Sequence, residues 1–152
     1  MKKLTTTILV LALFLNQVNA QIQKPVHWSY GLKRIGDQTY EVHLKADVDA
    51  GWHVYAQVQP KNAVAQATVI KFKKADGLVL IGKPKELGKM EKFYNKEVDI
   101  GANQYNHTVD FVQVVKIKND AVTSIAGTIT YQACTDHMCL PPEDVNFSIP
   151  IK

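Results

Sequence analysis

Cys134 and Cys139 are the only cysteines in the chain, and they stand five positions apart. The segment around them reads Tyr131-Gln132-Ala133-Cys134-Thr135-Asp136-His137-Met138-Cys139-Leu140-Pro141-Pro142. Closing so short a loop with a disulfide stabilises a fold by about 2 kcal/mol, near the low end for disulfides. A staple of that kind constrains little, which tilts the pair toward chemistry. The chemistry available to two such thiols is exchange, in which a thiolate attacks a disulfide sulfur and both access and thiolate fraction set the rate. His137, when protonated, would favour a thiolate, and Asp136 would oppose it. Two other readings stay open on these residues. One is an inert disulfide in a secreted module. The other is a soft-metal site, because Cys134, His137, Met138 and Cys139 are all ligands for copper(I), with His27, His43, His53 and His107 upstream to complete it.

The segments that must position these residues read as strands. Trp28, Tyr30 and Leu32 alternate with polar neighbours up to a turn at Gly36-Asp37. Tyr40, Val42, Leu44 and Ala46 alternate in the same way up to Asp49-Ala50-Gly51. Further strands are predicted over 52–57, 68–72 and, as a short buried one, 78–81. Residues 58–67 read as a loop, and 83–97, rich in Lys and Glu, as a long surface excursion. One long strand is predicted over 105–117 with Val109, Phe111, Val115 and Ile117 on one face, followed by a turn at Asn119-Asp120. Another runs over 123–131 directly toward Cys134. Val145, Phe147, Ile149 and Ile151 alternate at the end. Eight or so short strands with turn signals and no helical periodicity predict an all-β, single-domain, immunoglobulin-like β-sandwich.

The first twenty residues read as an address. Lys2 and Lys3 precede the apolar run Ile8–Leu15, and Val18-Asn19-Ala20 is a small-residue cleavage site, the pattern of a secretory signal peptide. The mature domain is then expected over 21–152, in a periplasm or outside the cell, where a disulfide can persist. No later segment is apolar enough for a membrane span. The whole chain carries a net +4, and removal of Lys2 and Lys3 leaves +2. That balance argues for no nucleic-acid partner. No phosphate-binding glycine loop, G-x-S-x-G elbow or H-E-x-x-H helix is present. Thiol exchange itself requires no cofactor.

The pattern Tyr-Gln-x-Cys, a short loop, then Cys-x-Pro-Pro resembles the amino-terminal periplasmic domain of DsbD, the thiol:disulfide interchange protein. The group is also named for disulfide bond correctors. Glu91-Lys92-Phe93-Tyr94-Asn95-Lys96 resembles the family's cap loop, and Gly51-Trp52-His53-Val54-Tyr55 resembles the strand beside its active site. The three segments occur in the family's order. The resemblance implies an immunoglobulin-like sandwich acting as a protein thiol–disulfide oxidoreductase. It implies thioredoxin-fold partners on both sides, a membrane-linked donor and periplasmic acceptors. By matching position, Cys139 would form mixed disulfides and Cys134 would resolve them. Phe93 would cover the sulfurs, with Glu91, Lys92 and Tyr94 beside it in the cap loop. His53, Tyr55, Asp136 and His137 would surround the pair. The chain departs from the family in three places: the cysteine loop is one residue shorter, Lys92 replaces an acidic residue, and Asn95 replaces a glycine. It also carries neither a transmembrane electron-transfer segment nor a thioredoxin-like domain, so the implied reductant acts in trans.

Overall fold

A computed structural model describes residues 23–119 and 121–151. The signal-peptide expectation for 1–20, and Asp120 of the expected turn, lie outside the described residues. Eleven strands and no helix are found among the described residues: β1 Val26–Gly36, β2 Thr39–Val48, β3 His53–Tyr55, β4 Val69–Phe72, β5 Leu78–Gly88, β6 Glu91–Asn95, β7 Ile100–Tyr105, β8 Thr108–Ile117, β9 Ser124–Tyr131, β10 Ala133–Cys134 and β11 Glu143–Pro150. Every pairing is antiparallel. The strands form sheets in the orders β1-β2-β8-β5, β10-β3-β7-β6 and β11-β9-β4.

Alternation explains the core. Side chains two apart on a strand share a face. Val42, Leu44 and Ala46 of β2 therefore point inward together, beside Val109, Phe111 and Val115 of β8, and all six are fully buried. Ile125 and Ile129 of β9 and Phe147 of β11 close over them, and Val54, Tyr105 and Ala133 reach the same core from the second sheet. Trp28 sets its ring edge-on to Tyr131 at 5.4 Å and tilted to Phe111 at 6.1 Å. Gln113 also lies on the inward face of β8. Its buried amide is satisfied by donating to the carbonyls of Ile81 (2.9 Å) and Val114 (2.8 Å).

The structure corrects three parts of the strand reading. The expected strand over 105–117 is broken at Asn106-His107, and the residues before the break form the separate strand β7. The His107 carbonyl accepts a hydrogen bond from Val48 N at 2.7 Å, which holds the break in place. The segment 78–81 is not a buried strand. It opens the eleven-residue strand β5, and Val79, Leu80 and Ile81 are exposed because β5 is the edge of its sheet. The register of β5 slips between Ile81 and Lys85, next to Gly82 at φ +69°, a value glycine adopts without steric penalty. Finally, much of 83–97 is ordered strand rather than excursion, comprising the end of β5 and all of β6. Its Lys and Glu residues reflect edge strands, where charge is tolerated and deters unwanted pairing.

Truncating Phe111, the largest fully buried side chain, to alanine removes packing from both sides of the sandwich. Phe111→Ala is expected to destabilise the fold by about 3–5 kcal/mol, read as a lowered midpoint in chemical denaturation.

Candidate functional site

The site is assembled by the sheet β10-β3-β7-β6, and its logic is the two-residue period. Cys134 of β10 pairs directly with His53 of β3. Tyr55 is two residues from His53 and pairs with Gln104 of β7. Gln104 pairs with Glu91 of β6, and Ala102 pairs with Phe93. Paired and alternate residues share a face, so Cys134, His53, Tyr55, Gln104, Ala102, Glu91 and Phe93 belong to one face of this sheet. The other face carries Ala133, Val54 and Tyr105, which are in the main core. Tyr55, Ala102 and Cys134 form a small apolar cluster of their own, with Ala65 packed against it.

The two sulfurs are joined in the structure but sit in different surroundings. Cys134 ends a strand and is 1% exposed. Cys139 lies beyond a four-residue turn and is exposed. The turn is built by its own residues. Thr135 N donates to the Met138 carbonyl at 2.7 Å, and Thr135 Oγ1 accepts from the backbone N–H groups of His137 (3.2 Å) and Met138 (3.1 Å). Leu140 N then returns to the Ala133 carbonyl at 2.9 Å. The side chain of Gln132 ties this hairpin to the 58–67 loop, donating to the Leu140 carbonyl and accepting from Gln66 N.

A cavity of about 230 Å³ opens beside the disulfide. Its walls include Cys139, Asp136, His53, Tyr55, Gln104 and Phe93. Phe93 is 47% exposed, so its ring is half in the cavity and half in solvent. His53 and Tyr55 are buried and edge-to-face, with Nε2 and Oη 3.0 Å apart. Burial pushes the His53 imidazole below the ordinary histidine value, and the Asp136 carboxylate partly offsets this. Burial raises the Tyr55 hydroxyl. Both rings are therefore neutral near pH 7.

The expected site residues do not all converge. Glu91 shares the site face, but its carboxylate is engaged by Asn106 Nδ2 at 2.7 Å. Lys92 and Tyr94 alternate onto the opposite side of β6, where Tyr94 Oη donates to Asp99 Oδ1 at 3.0 Å. His137 is exposed and lies outside the cavity wall. The Glu91–Tyr94 segment is the edge strand β6 rather than a loop. Asn95 has no left-handed backbone; in the turn that follows, Asp99 takes that role at φ +52°. Gln104, Ala102 and Thr135 also line the cavity with no signal in the sequence, because β7 is too polar to read as a strand and Thr135 acts through its turn. Among the described residues no three His, Cys, Asp or Glu side chains converge as a metal site. His27 and His43 are instead paired with Asp49 and Asp110.

A family model described as "Thiol:disulfide interchange protein DsbD, N-terminal" matches residues 19–150. The chain belongs to the DsbD N-terminal domain family. Two solved structures place this member among its relatives. The DsbD N-terminal domain of Neisseria meningitidis, in the reduced form, is 21% identical with a TM-score of 0.53, over 81% of this chain and 84% of that one. The N-terminal periplasmic domain of ScsB from Proteus mirabilis is 13% identical with a TM-score of 0.61, over 89% of this chain and 50% of that one. These likenesses carry the fold, an immunoglobulin-like β-sandwich. No curated protein sequence matches the chain.

The neutral, buried His53 makes stability depend on pH. Above about pH 6.5 both folded and unfolded chains hold this ring uncharged. As pH falls below that value the unfolded chain binds a proton that the folded chain resists, so stability declines until the lower folded value is passed. Urea midpoints are expected to fall between pH 7 and pH 5, and His53→Gln is expected to remove part of that fall.

Proposed function

We propose that this DsbD-family domain is a protein thiol–disulfide oxidoreductase that relays electrons between thioredoxin-fold proteins through Cys134 and Cys139. The observation that carries the reading is the asymmetry of the pair: a buried Cys134 and an exposed Cys139 that lines an open cavity together with Phe93. In the reducing direction, the Cys139 thiolate attacks a partner's disulfide, and one partner sulfur leaves as a thiolate. Cys134 then attacks Cys139, the partner's second sulfur leaves, and two electrons have passed to the partner. The reverse sequence reloads the pair from a reduced donor. Access selects Cys139 for the intermolecular step, because a sulfur must be approached in line by the attacking thiolate.

Residues 1–20 act in this proposal as an export signal, and 21–152 as the working domain in the periplasm. The donor in this proposal is a membrane-linked thioredoxin-fold protein. No helix among the described residues is long and apolar enough to cross a membrane. Phe93 serves as a lid over Cys139, excluding stray thiols until a docking partner displaces it.

Covalent trapping tests the relay. Cys134→Ser is expected to accumulate a mixed disulfide with a thioredoxin-fold protein in periplasmic extract, and Cys139→Ser to accumulate none. Failure of Cys134→Ser to trap any such protein would leave an inert disulfide module. For the lid, truncation releases about half of a phenylalanine's burial energy, about 1–1.5 kcal/mol, equivalent to about tenfold in an equilibrium. Phe93→Ala is accordingly expected to speed reduction of the disulfide by glutathione about tenfold, measured by alkylation and mass.

A further inference from the structure

We infer that His53 takes the proton from Cys134 when this buried sulfur attacks a mixed disulfide on Cys139. The inference rests on the relay reading and specifies how its second step is possible. Cys134 is 1% exposed, and its proton has no direct route to bulk water. Forming a bare thiolate there is unfavourable, because burial penalises the charged form. A base or a cation must stand beside it.

The register supplies one. Cys134 and His53 are direct partners across β10 and β3, which places their Cβ atoms about 4.5–5.5 Å apart on the same face. The groups facing His53 come from its own strand and from each element packed against it. From its own strand comes Tyr55, bonded at Nε2. The turn after β10 contributes Asp136 and Cys139, and β7 contributes the neutral Gln104. On β6, Phe93 is apolar and the Glu91 carboxylate is held by Asn106. Among the described residues no lysine or arginine lines the cavity. Of these groups the imidazole alone is the direct strand partner of Cys134, and burial keeps it unprotonated at neutral pH and available as a base. In the tautomer protonated at Nε2, that nitrogen donates to Tyr55 Oη, and Nδ1 keeps its lone pair. Asp136 then has a clear part: its carboxylate stabilises the imidazolium once the proton arrives.

The step balances. The Cys134 S–H bond breaks, and its proton passes to the His53 ring. The Cys134–Cys139 bond forms while the Cys139–partner bond breaks. The partner's sulfur leaves as a thiolate with the electron pair and is protonated from the imidazolium or from water. In the reverse direction the imidazolium protonates Cys134 as it leaves.

The reduced chain and an aromatic disulfide, dithiobis-nitrobenzoate, separate the two steps. Attack by Cys139 releases a first coloured thiolate, and closure by Cys134 releases a second. In the wild type the second phase should rise with pH along a single titration below pH 7. In His53→Gln it should slow by about 100-fold at pH 7, the low end for general base catalysis, and rise only above the pH of an exposed free thiol, about 8.5, because burial resists the thiolate. His53→Tyr, which keeps a hydrogen-bonding ring without a base, should behave like His53→Gln. Asp136→Asn should slow the second phase several-fold. A second phase with unchanged rate and pH profile in either His53 variant would overturn the inference and leave the relay standing. Absence of a trapped thioredoxin-fold protein with Cys134→Ser would count against the relay and leave the proton transfer measurable.

Discussion

One side of the small sheet β10-β3-β7-β6 is committed to the common core, and everything at the site follows from that. Val54, Tyr105 and Ala133 are buried against the side chains of the other two sheets. In strands of strict two-residue period, committing these positions inward leaves their neighbours no choice. His53, Tyr55, Cys134 and Phe93 must appear together on the opposite side. A slip of one residue would carry Val54 out into the cavity and His53 into a hydrocarbon core. Burial energy on one side of the sheet therefore maintains the placement of chemical groups on the other.

The different fates of the two sulfurs come from a second, local device. Cys134 is the last strand residue, and the chain turns immediately after it. Thr135 closes that turn with its own hydroxyl and amide, which delivers Cys139 back beside Cys134 but further out. One sulfur is enclosed by Tyr55 and Ala102, and the other faces an open cavity. A partner can therefore reach one and not the other, which is the asymmetry an ordered two-step exchange requires. Asp136 and His137, adjacent in the same turn, part company: Asp136 lines the cavity and acts on His53, while His137 faces solvent.

Phe93 shows how an edge strand becomes useful. Among the described residues β6 pairs only with β7, so one flank is without a strand partner there. Alternation aims Phe93 at the cavity and Lys92 and Tyr94 away from it. Tyr94 then anchors the far end through Asp99, and Asn62 holds the same aspartate. The strand is fastened at its turn while the Phe93 ring beside the cavity is only half buried.

The amino-acid sequence by itself determined the fold class, because alternation in 28–32, 40–46 and 145–151 needs only neighbouring residues to be read. It also marked the cysteine pair, since two thiols at that spacing are visible without any structure. Residues 78–81 read as a buried strand yet stand at a sheet edge, because an apolar run looks the same at the edge of a sheet as at its centre. Polar β7 went unseen, since Gln104 and Asn103 become strand residues only when β3 and β6 pair on either side of them. Tertiary structure alone decided that His53 stands opposite Cys134, that Phe93 and Cys139 share a cavity, and that one sulfur is buried. Those facts depend on register between strands distant in the chain, and register is set by the packing of all the faces together rather than by any one segment.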